Sequence, residues 1–414
     1  MLQAADSKHY SMNAEWAWLT IGDVCDVVNG GTPKTGIPDF WGGQHQWITP
    51  AEMGKRTTPY VSQTERTITD KGLQNSSARP LPPLSVILSS RAPIGHLVIN
   101  TEPMATNQGC KGLVPRKQID HKFLYYYLGS IVDLLNELGT GATFKELSGG
   151  KLKEVPIPVP SLPEQLRIVT LLDEAFVGIA TAKAHAEKNL QNARAIFESH
   201  LQSIFTKQGE GWAEHRLKSL TTKIGSGATP RGGEESYKAE GISLIRSLNV
   251  HDMAFKYAKL AFLDDAQADE LSNVAVRSRD VLLNITGASV ARCTIVPDDV
   301  LPARVNQHVS IIRPIAEKLD ADFLHYLLIS KPYKDQLLKT GEEGGSTRQA
   351  ITKVQIQEFL VAFPETLFEQ KLIVTKLDAM LAKTLRLESI YKQKITALDE
   401  LKKCLLHRAF NGDL

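Results

Sequence analysis

Asp173-Glu174-Ala175-Phe176, following the apolar run Ile168 to Leu172, has the form of a helicase acidic motif, whose chemistry would be nucleotide hydrolysis. That chemistry needs a GxxxxGK[ST] phosphate loop, and the chain has none. The motif reads instead as part of a long helix, with Leu172 and Ala175 on an apolar seam and the acids on the solvated side. HExxH and GxSxG are absent, and no acidic cluster has metal-ligand spacing. A methyltransferase would need an Asn/Asp-Pro-Pro-Tyr/Phe motif to hold an extruded base. The double proline of Leu81-Pro82-Pro83-Leu84 has neither the amide nor the aromatic. Cys25, Cys110, Cys293 and Cys404 lie far apart without CxxC spacing, as expected of buried or unremarkable thiols in a reducing compartment. No cofactor, metal or catalytic residue is expected, which points to binding.

The elements that would position a binding surface come twice. Val28-Asn29-Gly30-Gly31-Thr32-Pro33-Lys34 is answered by Ile224-Gly225-Ser226-Gly227-Ala228-Thr229-Pro230-Arg231, each a hydrophobic strand entering a glycine turn. Val86 to Gly95 matches Val281 to Val290 as a buried strand and turn; Asn107-Gln108 matches Asn306-Gln307; and the helical Phe123 to Leu128 matches Phe323 to Leu328. Val155 to Pro160 corresponds to Phe359 to Pro364, the second copy lacking the Pro-x-Pro pattern. Ser161-Leu162-Pro163-Glu164 and Thr366-Leu367-Phe368-Glu369 then share the capping-box form.

Each cap opens a run of roughly 40 residues with apolar residues stepping by three and four, on the order of 60 Å if helical. The first seam is Ile168, Leu172, Ala175, Ile179, Ala182, Ala186, Leu190, Ala193, Phe197, Leu201 and Ile204, with a stutter before Leu190. The second is Ile373, Leu377, Met380, Thr384, Leu387, Tyr391, Leu398, Leu401 and Leu405, interrupted by Lys394. A seam needs a partner, and topology makes the two helices antiparallel if they pair with each other. Packing of each helix on its own domain, or against another chain, stays open. The fold expected is α+β: two globular α/β domains in tandem repeat, joined by two long helices forming an antiparallel coiled coil. The divisions are 1–160, 161–208, 209–364 and 365–414.

At 414 residues, with 42% hydrophobic and 23% charged, the chain suits two or three soluble globular domains. Met1 to Trp18 has no apolar stretch behind a basic start, so a cytoplasmic protein is expected. The net charge of +2 is weak for a protein that grips nucleic acid unaided.

The glycine-Thr-Pro openings, the Arg91-Ala92-Pro93-Ile94-Gly95 and Thr286-Gly287-Ala288-Ser289 turns, the Asn-Gln pairs, the passage Pro156 to Gln165 and the ending Leu405 to Leu414 resemble type I restriction-modification specificity (S) subunits over nearly the whole chain. The resemblance implies two target-recognition domains, each reading one half of a bipartite, asymmetric double-stranded DNA site. The helices would fix the spacer and dock DNA methyltransferase (modification) subunits, two in number, with motor-nuclease (restriction) subunits joining. The subunit would itself be non-catalytic, within a complex of adenine-specific methyltransferase and endonuclease activity. A DNA-independent coiled-coil scaffold, or a nuclease or methyltransferase with an unrecognised motif, are the alternatives.

Base edges favour Arg, Lys, Asn and Gln, while phosphates also take Ser, Thr and backbone amides. The DNA-binding candidates in the first domain are therefore Lys34, Thr35, Arg91, Asn107, Gln108, Thr143 and Lys145. In the second they are Arg231, Arg246, Asn249, Arg292, Asn306, Gln307, Arg348 and Gln349. Asn107 and Asn306 could equally cap turns, and Gly30, Gly31, Gly225 and Gly227 could serve turn geometry alone. Trp41 to Ser76 and Glu234 to Ala275 align poorly between copies, so different half-site sequences are expected from them.

Overall fold

The computed structural model describes residues 16–141, 145–342 and 350–414. The chain forms two compact units, one of Met1–Ala186 with Gln393–Leu414, the other Glu187–Lys392.

In the first unit the strand Val86–Ser90 is buried along its whole length because it faces two cores. Val86 and Leu88 point to the core shared with helix His121–Ser130, while Ile87 points to the one shared with Ile48, Met53 and Met104. This is why its sequence is a continuous apolar run rather than an alternating one. It lies between antiparallel neighbours Cys110–Pro115 and Ile94–Asn100, with Cys25–Asn29 and Tyr60–Val61 at the edges. A second sheet runs Thr67–Ile68, Trp41–Ile48, Met104–Thr106, the last pair parallel.

The second unit repeats the plan. Val281–Asn284 is buried, with Val281 and Leu283 in one core and Leu282 in the other. Its neighbours are Val309–Pro314 and Cys293–Ile295, and Ile242–Ile245 pairs in parallel with Ala303–Val305. In both units an aspartate caps the helix that covers the sheet, Asp120 for His121–Ser130 and Asp320 for Ala321–Ile329.

Ala17–Thr20 pairs antiparallel with Pro156–Val159, and Trp212–Arg216 does so with Leu360–Pro364. Losing the Pro-x-Pro pattern therefore changes nothing in the second copy. Prolines at alternate positions leave the N–H groups of Ile157 and Val159 for the ladder, so the strand tolerates them.

The long helices run Leu162–Lys207 and Leu367–Asn411, each divided between the units. In the first unit Arg167 donates to the Leu414 carbonyl at 2.6 Å, Lys402 lies 5.0 Å from the Phe176 ring centroid, and Lys183 meets Asp399 at 2.7 Å. Partner numbers fall as residue numbers rise, so the helices are antiparallel. In the second unit Arg194 meets Glu388 at 3.0 Å.

The first helix buries or half-buries every residue of its expected seam. The second does not, since Leu387 and Leu401 are exposed. Its inward stripe is Leu381, Glu388, Ile395 and Ala409 beside Leu377, Thr384, Tyr391, Leu398 and Leu405. An apolar filter rejects Glu388, which Arg194 accommodates, while exposed Lys402 lies over the Phe176 ring. The cap hydroxyl engages at the second helix, where Thr366 Oγ1 accepts from the Glu369 N–H at 3.3 Å and donates to Glu369 Oε2 at 2.7 Å, whereas Glu164 turns to Arg167 at 2.7 and 2.8 Å.

Helix starts and ends both enter globular cores. Ile168, Val169 and Leu172 join the first unit's core, and Val374 and Leu377 the second's. The ends cross over: Phe205 packs on Phe323, 5.5 Å between ring centroids, and Phe410 packs on Phe123 and Tyr127 at 5.1 and 5.3 Å. Packing against the copy's own domain and pairing with the other helix thus coexist. No helix among the described residues is long and apolar enough to cross a membrane.

Candidate nucleic-acid interface

The glycine-rich openings lie against the Asn-Gln loops in both units. Gly31 N–H donates to the Thr106 carbonyl at 2.8 Å, and Gly227 N–H to the Asn306 carbonyl at 3.2 Å. A Cβ on Gly30 would stand 1.9 Å from the Asn107 carbonyl oxygen, and one on Gly227 would stand 1.6 Å from that of Val305. Backbone-to-backbone approach, rather than turn geometry, therefore requires these glycines; Gly225 has open space.

Across each contact a threonine hydroxyl donates to a glutamine carbonyl, Thr32 to Gln108 and Thr229 to Gln307. The asparagines are spent inside the fold. Asn107 Oδ1 accepts from the Gly109 N–H at 2.8 Å while its Nδ2 donates to Thr32 Oγ1 at 2.9 Å, and Asn306 Oδ1 accepts from the His308 N–H at 3.1 Å. They cap turns, and the exposed members of the pairs are Gln108 and Gln307.

Around Gln108 the first unit gathers further candidates. Lys34 and Thr35 are exposed on the glycine loop. Arg91 follows the central strand, exposed, beside Gly109 and 3.9 Å from Glu146, and exposed Lys145 adjoins Glu146. Thr143 lies outside the described residues. Near Gln307, Arg231 is exposed and Arg292 half-exposed; neither side chain has a polar partner among the described residues. Thr286 Oγ1 lies 2.6 Å from His308 Nδ1, closing the corresponding turn. Arg348 and Gln349 also lie outside the described residues.

Two second-unit candidates sit differently from the expectation. Arg246 pairs with Glu234 at 2.6 Å, donates to the Lys259 carbonyl at 2.8 Å and lies over Tyr237, leaving 12% of its side chain exposed. Asn249 is fully buried, accepting from the Arg246 N–H at 3.0 Å and donating to the Lys256 carbonyl at 2.8 Å. Both hold their own loop, because an interior amide must find partners.

Several well-tied positions lie outside the expected set. In the first variable segment, His45 and Gln44 bind Asp70, hydrogen bonds that hold its carboxyl below the usual range. The exposed Arg66 guanidinium lies 3.7 Å from the Trp41 ring centroid. Beneath the sheets, buried Gln165 accepts from the Asp120 N–H at 2.8 Å and donates to the Gln118 and Pro160 carbonyls at 3.0 and 2.8 Å. Gln370 repeats this with Asp320, Lys318 and Pro364 at 2.8, 2.9 and 3.0 Å. The Glu-Gln pair recurring after each cap was the signal available for them. Asp173 is half-buried rather than solvated: it accepts from Tyr126 Oη and from Lys122 Nζ at 2.5 Å, as Asp378 accepts from Tyr326 Oη at 2.6 Å. The decoy motif is a tie between helix and domain. Burial pushes the Cys25 and Cys110 thiols up to about 12, so they carry no nucleophilic chemistry. Among the described residues no group of three His, Cys, Asp or Glu could hold a metal.

The model of the type I restriction modification DNA specificity domain matches the chain twice, over residues 13–189 and 209–397. The type I restriction enzyme MjaIX specificity subunit of Methanocaldococcus jannaschii is 39% identical over 251 residues, 56% of this chain and 57% of that one. The EcoBI specificity subunit of Escherichia coli is 24% identical over 346 residues, 76% of this chain and 70% of that one. The chain thus spans just over half the length of the first of these relatives. Among solved structures, a chain from work on complex assembly and conformational transition of the type I R-M system superposes with a TM-score of 0.78 at 19% identity, covering 98% of this chain and 100% of that one. The HsdS subunit from Thermoanaerobacter tengcongensis gives 0.62 at 19% identity, with 97% and 98% covered. At that identity the likeness is one of fold.

Proposed function

Because the chain belongs to the type I restriction-modification DNA specificity family, we propose that it is the DNA sequence-recognition subunit of such a complex, non-catalytic itself and reading a bipartite, asymmetric site. The observation that carries this reading is the duplicated loop pair Thr32–Gln108 and Thr229–Gln307, each leaving an exposed glutamine amide next to exposed cations. Paired donors on a fixed edge suit base edges, and neighbouring cations suit phosphates. The first recognition domain, residues 1–160, reads through Lys34, Thr35, Arg91, Gln108 and Lys145. The second, residues 209–364, reads through Arg231, Arg292 and Gln307. The helices of 161–208 and 365–414 set the spacer and dock two methyltransferase subunits, with motor-nuclease subunits joining for restriction in the cytoplasm. A net charge of +2 supports a shared grip, in which partner subunits supply much of the phosphate contact.

Mapping adenine modification in the native genome with and without the gene tests the reading. A split motif that vanishes on deletion is expected; an unchanged pattern refutes it. Exchanging residues 41–76 for those of another specificity should alter one half of the motif alone.

A further inference from the structure

The geometry points to Arg66 as the guanine-reading residue of the first half-site, an inference that rests on the DNA-reading function proposed above. Its guanidinium lies 3.7 Å from the Trp41 ring centroid and 5.4 Å from that of Trp47, the two indoles meeting edge to face at 5.0 Å. Both indoles are fixed to the glycine loop: Trp41 Nε1 donates to the Lys34 carbonyl at 3.3 Å and Trp47 Nε1 to that of Gly31 at 2.9 Å. The backbone of Arg66 is held too, its carbonyl accepting from the Trp47 N–H at 3.2 Å and the Thr64 hydroxyl at 2.6 Å. The cation therefore stands on a rigid aromatic platform beside the loop that carries Lys34 and Thr32.

Two other arginines of this domain are engaged by carboxylates, and exposed Arg79 has no aromatic ring beneath it among the described residues. Arg56 pairs with Glu52 at 2.5 Å and Arg116 with Asp26 at 2.7 Å, whereas Arg66 meets no carboxylate among the described residues and is exposed. A guanidinium with one face covered keeps its rim of N–H donors free, in the flat fork that matches guanine O6 and N7. Comparison of the copies separates this role from phosphate binding. Trp47 N–H donates to the Arg66 carbonyl one step beyond the Gln46–Thr67 pair, and the matching pair in the second copy is Leu244 with buried Ala261. The glycines, threonines and glutamines of the loop pair are common to both copies and suit the common backbone; Arg66 and its tryptophans occur in one copy, as a sequence reader should.

The test uses the full chain assembled with its methyltransferase partners, carrying Arg66→Ala or Arg66→Lys, in competition binding over all single-base variants of the wild-type site. Both variants should lose about 10- to 100-fold of discrimination at one position of the first half-site, with the second half unchanged and the same melting temperature. Specificity retained by R66K, or R66A weakening all sequences equally with a shallower salt dependence, assigns Arg66 to phosphate and overturns the inference. Wild-type behaviour in both variants overturns it as well. A wild-type complex with no preferred site would instead refute DNA reading itself, and this inference with it.

Discussion

Replacing Gln165 with methionine removes three hydrogen bonds at one stroke while keeping nearly the same volume. The Asp120 N–H and the Gln118 and Pro160 carbonyls lose their partner, and the Pro160 bond is wholly buried. Each buried polar group left unpaired costs about 1–3 kcal/mol. Partial access of water to two of the three brings the sum to about 2–4 kcal/mol. With a urea dependence near 2 kcal/mol/M, the unfolding midpoint of the first unit should fall by about 1–2 M. The assay is built in, because Trp16, Trp18, Trp41 and Trp47 belong to the first unit and Trp212 to the second. Tryptophan fluorescence therefore reports chiefly on the first unit. Q165M should shift its transition, and Q370M, which breaks the equivalent bonds in the second unit, should shift it far less while lowering the helical signal in circular dichroism. A Q165M midpoint within 0.3 M of wild type would falsify the idea that this glutamine locks helix to domain.

Gly227→Ala should destabilise the second unit by about 2–4 kcal/mol, read as a lower melting temperature, because the new methyl collides with the Val305 carbonyl rather than a yielding side chain. Thiol titration of the native chain should find Cys404 alone reactive, with Cys25, Cys110 and Cys293 appearing only in denaturant; three or four fast equivalents would contradict the burial described. Hydrogen bonds from Arg194 and Lys392 hold the Glu388 carboxyl below its usual range. Its contribution is present above the unfolded value near 4.3 and fades as pH falls through the lower folded value, so the difference in melting temperature between Glu388→Gln and wild type should shrink progressively as pH falls below about 4.3.

The repeat, the two-part division and the long helices were legible in the sequence because they rest on order and periodicity. The site was legible only in part. Asn107 and Gln108 look alike as amides, and only the chain crossing beneath them shows one spent on a turn and the other exposed. Arg66 escaped notice because its platform joins residues 34, 41, 47 and 66, an arrangement created by strand pairing. The second seam departs from the expected one only at Leu387 and Leu401, because apolar stepping passes over Glu388, which Arg194 satisfies.

Leu406, Ala409 and Phe410 complete a core whose other members lie between residues 21 and 172, while everything the second unit buries lies between 187 and 392. During synthesis, every residue of the later-encoded unit is therefore joined to the chain before the earlier unit receives its last core members. The nascent first unit lacks three members of its core through the translation of more than 200 further residues. A chaperone that shields Phe123 and Tyr127 over that interval, or a stop codon shortly before residue 406, would act on the half of the protein made first.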